Sequence, residues 1–189
     1  MKKKIRNVAL AGFCATTLLC ALSAQAQDIK AESQEAITNF FKTDSTLQKF
    51  VDDSAGYTIF PGVGKGGFVV GGARGKGLVY EKTNLIGRAT MTQASIGAQA
   101  GGQSFAELIV FETPSALNDF KAGKFEMSAE VSAVAASEGA SKAAKYKQGV
   151  AVFTVAKKGL MVQASIGGQK FKFEPELLAP TGRPDTEVK

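Results

Sequence analysis

The sequence predicts an α+β domain: a strongly coiled antiparallel β-sheet or small β-barrel, with N-terminal helices and one further packed helix. Three observations lead to this fold class. A helical pattern of apolar residues follows residue 27, strand-like segments recur from about residue 57 to 173, and 21 glycines are interleaved with Val, Ile and Phe. Glycine is tolerated inside strands where backbones approach closely or the sheet bends sharply. The composition therefore favours a tightly curved sheet.

The first 26 residues have the organisation of a secretory signal peptide. Four basic residues precede the apolar run Val8–Leu22, and Ala24 and Ala26 fit the small-x-small cleavage pattern. The apolar run is short for a permanent membrane-spanning helix. We therefore expect cleavage after Ala26 and export to the periplasm, either free or associated with a membrane. The alternatives are an uncleaved anchor, or a lipid on Cys20, which the bulky Leu19 disfavours.

The composition that remains after cleavage excludes several function classes. Both cysteines lie in the signal segment and the chain has no His, which excludes Ser-His-Asp and Cys-His catalysis and the usual zinc sites. The acidic residues are scattered, so we expect no enzyme, no cofactor and no metal. Removal of the four signal cations leaves 19 of the 23 Lys and Arg residues, together with 17 Asp and Glu. The formal charge therefore falls from +6 to +2. This charge does not predict a nucleic-acid partner.

Three segments are predicted to be helical. Apolar residues at near-helical spacing mark Asp28–Lys42, and a second helix is expected over Ser45–Asp53 with Asp44 as its N-cap. Thr113 and Pro114 have the residue types of an N-cap and a first helical position, and Gly123 is expected to end that helix. The helices thus flank or interrupt a chain that is otherwise strand-like.

The strands are expected in short runs separated by glycine, proline and polar residues. They are Tyr57–Phe60 (ending at Pro61), Leu78–Tyr80, Ile86–Gln99, Phe105–Phe111, an alternating Phe125–Val134, Val150–Val155, Leu160–Ile166 and Lys170–Phe173. A mobile basic loop is expected over Ser137–Gln148, and a turn at Lys157–Gly159. The five residues Gln93–Gly97 recur as Gln163–Gly167, which predicts two equivalent strands.

A glycine motif in this region resembles a nucleotide-binding loop. Gly62–Gly67 matches G-x-G-x-x-G, but the dinucleotide mechanism needs a helix after the turn. Strand-like residues follow instead, and Lys65 is followed by Gly rather than by the Ser or Thr of a phosphate-binding loop. We interpret the motif as a glycine-bent β-hairpin.

Basic residues cluster around these glycines. Glycine beside a basic side chain lets a phosphate approach backbone N–H groups, and anionic headgroups attract such patches. The alternative interpretation is a solvated rim that keeps strand ends soluble. The cluster consists of Lys65, Arg74, Lys76, Lys82 and Arg88.

An ordered series of segments resembles the SYLF domain. The series comprises Ala55–Pro61, Gly64–Gly72, Arg74–Tyr80, Ser95–Gln99, Leu108–Phe111, Phe125–Ala136, Lys158–Met161 and Ser165–Gly167. Together with the signal and helix patterns, this series divides the chain into a signal peptide (1–26), a helical segment (27–54), a SYLF-like β-rich domain (55–176) and a tail expected to be flexible (177–189). The resemblance implies lipid binding, with Gly66 and Gly67 joining Lys65, Arg74 and Lys76 as the best headgroup candidates.

Eukaryotic SYLF members are membrane adaptors that bind phosphoinositides, and some associate with actin. This sequence has no SH3 or FYVE module, lacks the Trp often found before the Ser-x-Gly-x-Gln strand and carries an export signal. The part of the resemblance that transfers is therefore binding of anionic lipid.

Together these observations predict non-catalytic binding of anionic phospholipid, or of a membrane surface, at the bacterial cell envelope. Other envelope proteins are further candidate partners. Two alternatives stay open: a structural or protein-interaction module of the periplasm, and a carrier of a hydrophobic ligand.

Overall fold

The computed structural model describes residues 28–66, 70–96, 103–127, 133–158 and 168–176. Several predicted features lie outside these ranges and stay predictions. They are the signal peptide, Gly67, the strand Leu160–Ile166 with the second copy of the five-residue repeat, and the tail beyond residue 176.

Four helices and seven strands occur in the described ranges. The helices are α1 (28–43), α2 (Leu47–Asp53), α3 (Pro114–Lys121) and α4 (Ala140–Ala143). The strands are β1 (Gly56–Gly66), β2 (Val70–Glu81), β3 (Asn84–Ile96), β4 (Gln103–Phe111), β5 (Ala133–Ala135), β6 (Val150–Lys158) and β7 (Gln169–Pro175).

The strands form one sheet in the order β5-β6-β4-β1-β2-β3-β7. All neighbouring strands are antiparallel except β5 and β6, which are parallel. The predicted α+β class is confirmed, but the predicted small barrel is wrong. No ladder between described residues joins the two edge strands, β5 and β7. The short β5 pairs with β6, and the outer edge of β7 forms an isolated bridge between Lys170 and Glu126.

The sheet is nevertheless strongly curved. Two strands separate β1 from β7, yet the rings of Phe60 and Phe171 lie 6.0 Å apart. Helix α3 fills the concave side with Leu117 and Phe120, and the Phe120 ring lies 5.2 Å from Phe171. The curved sheet thus encloses one hydrophobic core, to which α3 contributes Leu117 and Phe120.

The convex side of the sheet has a second core beneath α1 and α2. Ala36, Ile37 and Phe40 of α1 are buried, at the i, i+1 and i+4 spacing of one helical face. They belong to the same cluster as Ile59 and Leu78 of the sheet. The N-terminal helices therefore pack on the sheet as their amphipathic pattern predicts.

The sequence predicts that strand β1 ends at Pro61, but in the structure it continues to Gly66. Its register with β2 shifts between Ile59 and Gly62, and its register with β4 shifts between Phe60 and Val63. Proline has no N–H to donate to a ladder and is tolerated at such bulges. The irregularity absorbs Pro61 without ending the strand.

Two glycines of the sheet occupy positions where a side chain would collide with backbone. A Cβ on Gly77 would lie 2.5 Å from the carbonyl oxygen of Ile59, and one on Gly87 would lie 2.4 Å from that of Glu174. These close approaches explain part of the glycine content, as the sequence predicts.

The segment after α3 differs from its prediction. Helix α3 itself is confirmed: the Thr113 hydroxyl accepts a hydrogen bond from Ala116 N, and Gly123 follows the helix with φ +67°. The strand predicted over Phe125–Val134 lies partly outside the described residues, and its described parts pair with opposite edges of the sheet. Glu126 bridges to β7, whereas β5 pairs with β6.

The predicted loop Ser137–Gln148 contains α4, which is attached to Asp44 rather than free. The Asp44 carboxylate accepts from Gly139 N (3.2 Å) and Ser141 N (2.8 Å), and also from the backbone and hydroxyl of Thr46. Burial alone raises the pKa of Asp44, but the hydrogen bonds from Thr46 and Ser141 outweigh burial and lower the pKa to about 2. The N-cap residue of α2 is Thr46, so the prediction of Asp44 as the N-cap is wrong. Asp44 instead ties the segment before α2 to α4 through these hydrogen bonds.

Candidate functional site

Helix α1 leaves part of the convex face of the sheet uncovered. The apolar positions under α1 include Ile59, Leu78 and Leu108. Further along β2 and β3, on the same face, Arg74, Lys76 and Thr92 are exposed. The uncovered part is therefore polar, whereas the part under the helix is apolar.

The strand register arranges these polar residues in rows, because directly opposed residues in a sheet share a face. The first row runs Gly64–Arg74–Thr92–Lys170 and the second runs Gly62–Lys76–Thr90–Lys172 across β1, β2, β3 and β7. The third row is Leu78–Arg88–Glu174. We call the exposed cations of these rows, together with Lys157, the convex basic face.

Lys157 of β6 belongs to this face because its ammonium lies over Gly62. A Cβ built on Gly62 would have the Lys157 Nζ, at 3.9 Å, as its nearest neighbour. Lys157, Lys170 and Lys172 are exposed and were missed by sequence reasoning, which placed them in a turn and in a strand. The alternation Lys170-Phe171-Lys172-Phe173 was the available signal, since period two puts both lysines on the solvent side of β7.

Two of these lysines pair with exposed carboxylates. Lys170 lies 3.0 Å from Glu126 and Lys172 lies 2.8 Å from Glu174, and all four side chains are more than half exposed. Exposed ion pairs of this kind contribute about 0–1 kcal/mol, so both ammonium groups are free to exchange partners.

A groove runs along this face beside the first turns of α1. It has a volume of about 540 Å³, and we call it the α1–sheet groove. Asp28, Ile29 and Glu32 form the helical wall. Arg74, Lys76, Arg88 and Glu174 contribute charges from the sheet, and Gly62, Gly75, Gly77 and Thr90 are among its other lining residues.

The structure brings together only part of the predicted headgroup cluster. Arg74, Lys76 and Arg88 line one groove. The register sets Lys65 opposite Ala73 and Gly66 opposite Gly72, next to the row that contains Arg74. The side chain of Lys65 and all of Gly67 lie outside the described part of the chain.

Lys82 is separated from the other predicted cations. It lies in the turn after β2, at the end of the strand opposite to Arg74, with φ 54°. Its ammonium donates to the carbonyl oxygens of Ser54 and Asp52, at the end of α2. Lys82 thus satisfies carbonyl groups after a helix, a position that favours a cation.

The predicted glycine-bent hairpin is borne out on the described side of Gly62–Gly67. Gly62, Gly64 and Gly66 lie in β1, each opposite a residue of β2. The G-x-G-x-x-G motif therefore begins in a strand ladder, not at the start of a helix.

The concave side of the sheet holds one buried carboxylate. Glu107 of β4 is fully buried, and its Oε2 accepts a 3.0 Å hydrogen bond from Gln169 Nε2. Within the described residues, Glu107 Oε1 has no hydrogen-bond partner. Burial raises the pKa of Glu107 to about 7 even though the Gln169 bond opposes the rise.

Two features are absent from the described ranges. These ranges contain no cluster of three or more acidic, His or Cys side chains suited to a metal ion. In the same ranges, no helix has both the length and the apolar character needed to cross a membrane.

Comparisons with known proteins found a family model and a relative that match this chain. A family model described as Ysc84, Las17-binding protein actin regulator, matches residues 92–177. Beta cell expansion factor A of Aeromonas veronii is 28% identical over 150 residues, which cover 79% of this chain and 57% of that relative. The chain therefore corresponds to little more than half the length of this relative.

Proposed function

We propose that this chain, which belongs to the Ysc84/SYLF domain family, binds anionic phospholipid surfaces at the cell envelope without catalysing a reaction. The observation that carries the proposal is the convex basic face. Its cations project from β2, β3, β6 and β7 on one side of the sheet, where α1 leaves the strands uncovered.

The physical basis is electrostatic attraction to the lipid headgroups. A Lys or Arg close to an anionic membrane contributes about 1 kcal/mol, and the attraction decays within a Debye length of about 10 Å at 0.1 M salt. In the first two rows the residues beside the cations are Gly and Thr, so no bulky side chain of those two rows holds the charges away from a flat surface. Several cations therefore act on one bilayer at once.

The cellular setting is part of the proposal. The signal-like first 26 residues favour export, and we place the protein in the periplasm, associated with a membrane through this face. Other envelope proteins are candidate partners, and phospholipid is the primary one.

The test is sedimentation of the exported protein with vesicles of phosphatidylcholine alone or with added phosphatidylglycerol, across a salt series. We expect phosphatidylglycerol to strengthen binding well above that to phosphatidylcholine alone, and this gain to weaken as salt increases. A triple variant, Arg74→Gln, Lys76→Gln and Lys170→Gln, should bind about ten- to hundred-fold more weakly.

A charge-matched control carries Lys124→Gln, Lys142→Gln and Lys145→Gln. These three exposed residues lie after α3 and around α4, away from the convex basic face. If the control loses as much affinity as the triple variant, binding depends on net charge and not on this face. Absence of any vesicle binding would favour a structural or protein-interaction module. Lipid that co-purifies with the protein, with no vesicle binding, would favour a carrier.

A further inference from the structure

The α1–sheet groove differs from the rest of the convex basic face because it contains charges of both signs. Arg74, Lys76 and Arg88 extend from the sheet, whereas Asp28 and Glu32 extend from α1. With Glu174 included, three cationic and three carboxylate side chains line the groove, so the charges of its lining side chains sum to zero. An anionic headgroup would meet carboxylates on entering, whereas a group with both charges would find a partner for each.

The charges of the two walls are not neutralised by each other. Neither Asp28 nor Glu32 forms an ion pair with another described residue, and the same holds for Arg74, Lys76 and Arg88. Glu174 pairs with Lys172, which lowers the pKa of Glu174 most, and Arg88 and Lys76 lower it further. The helical carboxylates and the sheet cations thus face one another across open space.

We infer that this groove binds a phosphate group that carries a primary amine, as in the headgroup of phosphatidylethanolamine. The phosphate lies against Arg74, Lys76 and Arg88, and the ammonium donates hydrogen bonds to Asp28 and Glu32. The inference rests on the proposed function, because it assigns a headgroup to one part of the same membrane-facing surface.

The lining favours a primary over a quaternary amine. Proteins recognise quaternary ammonium groups with cages of aromatic rings, and no aromatic side chain lines the described groove. A primary ammonium has three N–H donors, as the Lys side chain does, which suit carboxylate oxygens. The volume of about 540 Å³ lies within the range of small-ligand sites.

Glycine keeps the groove open beside the cations. Gly62 has no side chain, and a Cβ at this position would meet nothing closer than the mobile Lys157 Nζ at 3.9 Å. A larger residue here would extend into the groove without colliding with the backbone. Gly62→Val is therefore a variant that fills the groove while the strand remains formed.

The test uses the intact protein and three vesicle compositions: phosphatidylcholine alone, with phosphatidylethanolamine, or with phosphatidylglycerol. We expect about ten-fold stronger binding when phosphatidylethanolamine is present than with phosphatidylcholine alone. The double variant Asp28→Asn, Glu32→Gln should lose this preference yet retain binding to phosphatidylglycerol. Gly62→Val should lose it too, with an unchanged melting temperature.

Matched controls separate this inference from the proposed function. Glu81→Gln with Glu112→Gln removes two exposed carboxylates outside the groove and should leave the preference intact. Free phosphoethanolamine should compete for the groove better than inorganic phosphate or phosphocholine. Binding to phosphatidylglycerol without any preference for phosphatidylethanolamine would overturn the inference alone, whereas no binding to phosphatidylglycerol would overturn the proposed function.

Discussion

Gln169 donates a 3.0 Å hydrogen bond to the carboxylate of Glu107, although three strands lie between the two that carry them. In a flat sheet four strand spacings would separate their backbones by about 19 Å. The contact therefore measures how far the sheet curls around its concave core, and it places a polar pair inside that core.

Glu107 makes folding stability depend on pH. Burial raises its folded-state pKa to about 7 from a usual value near 4.5, so the folded state binds a proton more tightly than the unfolded state does. The stability contributed by protonated Glu107 is fully present below pH 4.5 and is lost as the pH rises through 7. Its cross-strand neighbours Phe60 and Thr154 carry no charge that would offset this. Above pH 7 the buried charge costs roughly 3 kcal/mol.

Glu107→Gln should remove this dependence. The amide is neutral at every pH, so the variant should equal the native protein near pH 4 and exceed its stability by about 3 kcal/mol at pH 8. Urea denaturation at several pH values measures the difference. Glu112→Gln, an exposed change one residue beyond β4, is the control. Parallel stability curves for Glu107→Gln and the native protein would contradict the prediction.

Asp44 is expected to be a stabilising residue at neutral pH. Asp44→Ala removes the acceptor for Gly139 N, Ser141 N and Thr46, and should cost about 3 kcal/mol. Since the folded-state pKa is lowered to about 2, this contribution is present above pH 3.8 and is lost as the pH falls towards 2.

Thermal unfolding of Asp44→Ala and Asp44→Asn checks this role. Asn retains one acceptor oxygen, so its loss of stability should be smaller than that of Ala. An equal loss for both would show that the charge, rather than hydrogen-bond geometry, carries the effect.

Two glycines of neighbouring strands should respond differently to the same substitution. Gly77→Ala places a Cβ 2.5 Å from the Ile59 carbonyl oxygen and 2.7 Å from the Phe60 ring, which should destabilise the fold by about 3 kcal/mol. Gly64→Ala meets nothing within 4 Å and should change stability by less than about 0.5 kcal/mol. Chemical denaturation of the two variants compares them directly; equal costs would refute the role of close backbone approach.

Lys82 should separate stability from membrane binding. Lys82→Met loses the donor to the Ser54 carbonyl oxygen and should destabilise the protein by about 1 kcal/mol. Because Lys82 lies at the other end of β2 from Arg74, its removal should leave binding to phosphatidylglycerol vesicles unchanged. A loss of vesicle binding comparable to that of Arg74→Gln would show that Lys82 takes part in lipid binding.

Short-range patterns in the sequence predicted much of the secondary structure. Thr113 and Pro114 set the start of α3 through local hydrogen bonding and backbone geometry, and the spacing of Ala36, Ile37 and Phe40 set the buried side of α1. Pro61 misled the prediction because a bulge, formed only when both neighbouring strands are in place, accommodates its missing N–H.

Local patterns predicted α1, α2 and α3, the glycine-rich strands and the basic residues near them, because propensity, capping and alternation act over a few residues. They did not predict α4, which lies in a segment expected to be a loop. Three features depend on the tertiary structure. The described strands form an open sheet, Lys170 and Lys172 align with Arg74 and Lys76, and Lys82 donates to a carbonyl oxygen at the end of α2. Strand order and register depend on contacts between residues far apart in the chain, and those contacts place cations from four strands on one face.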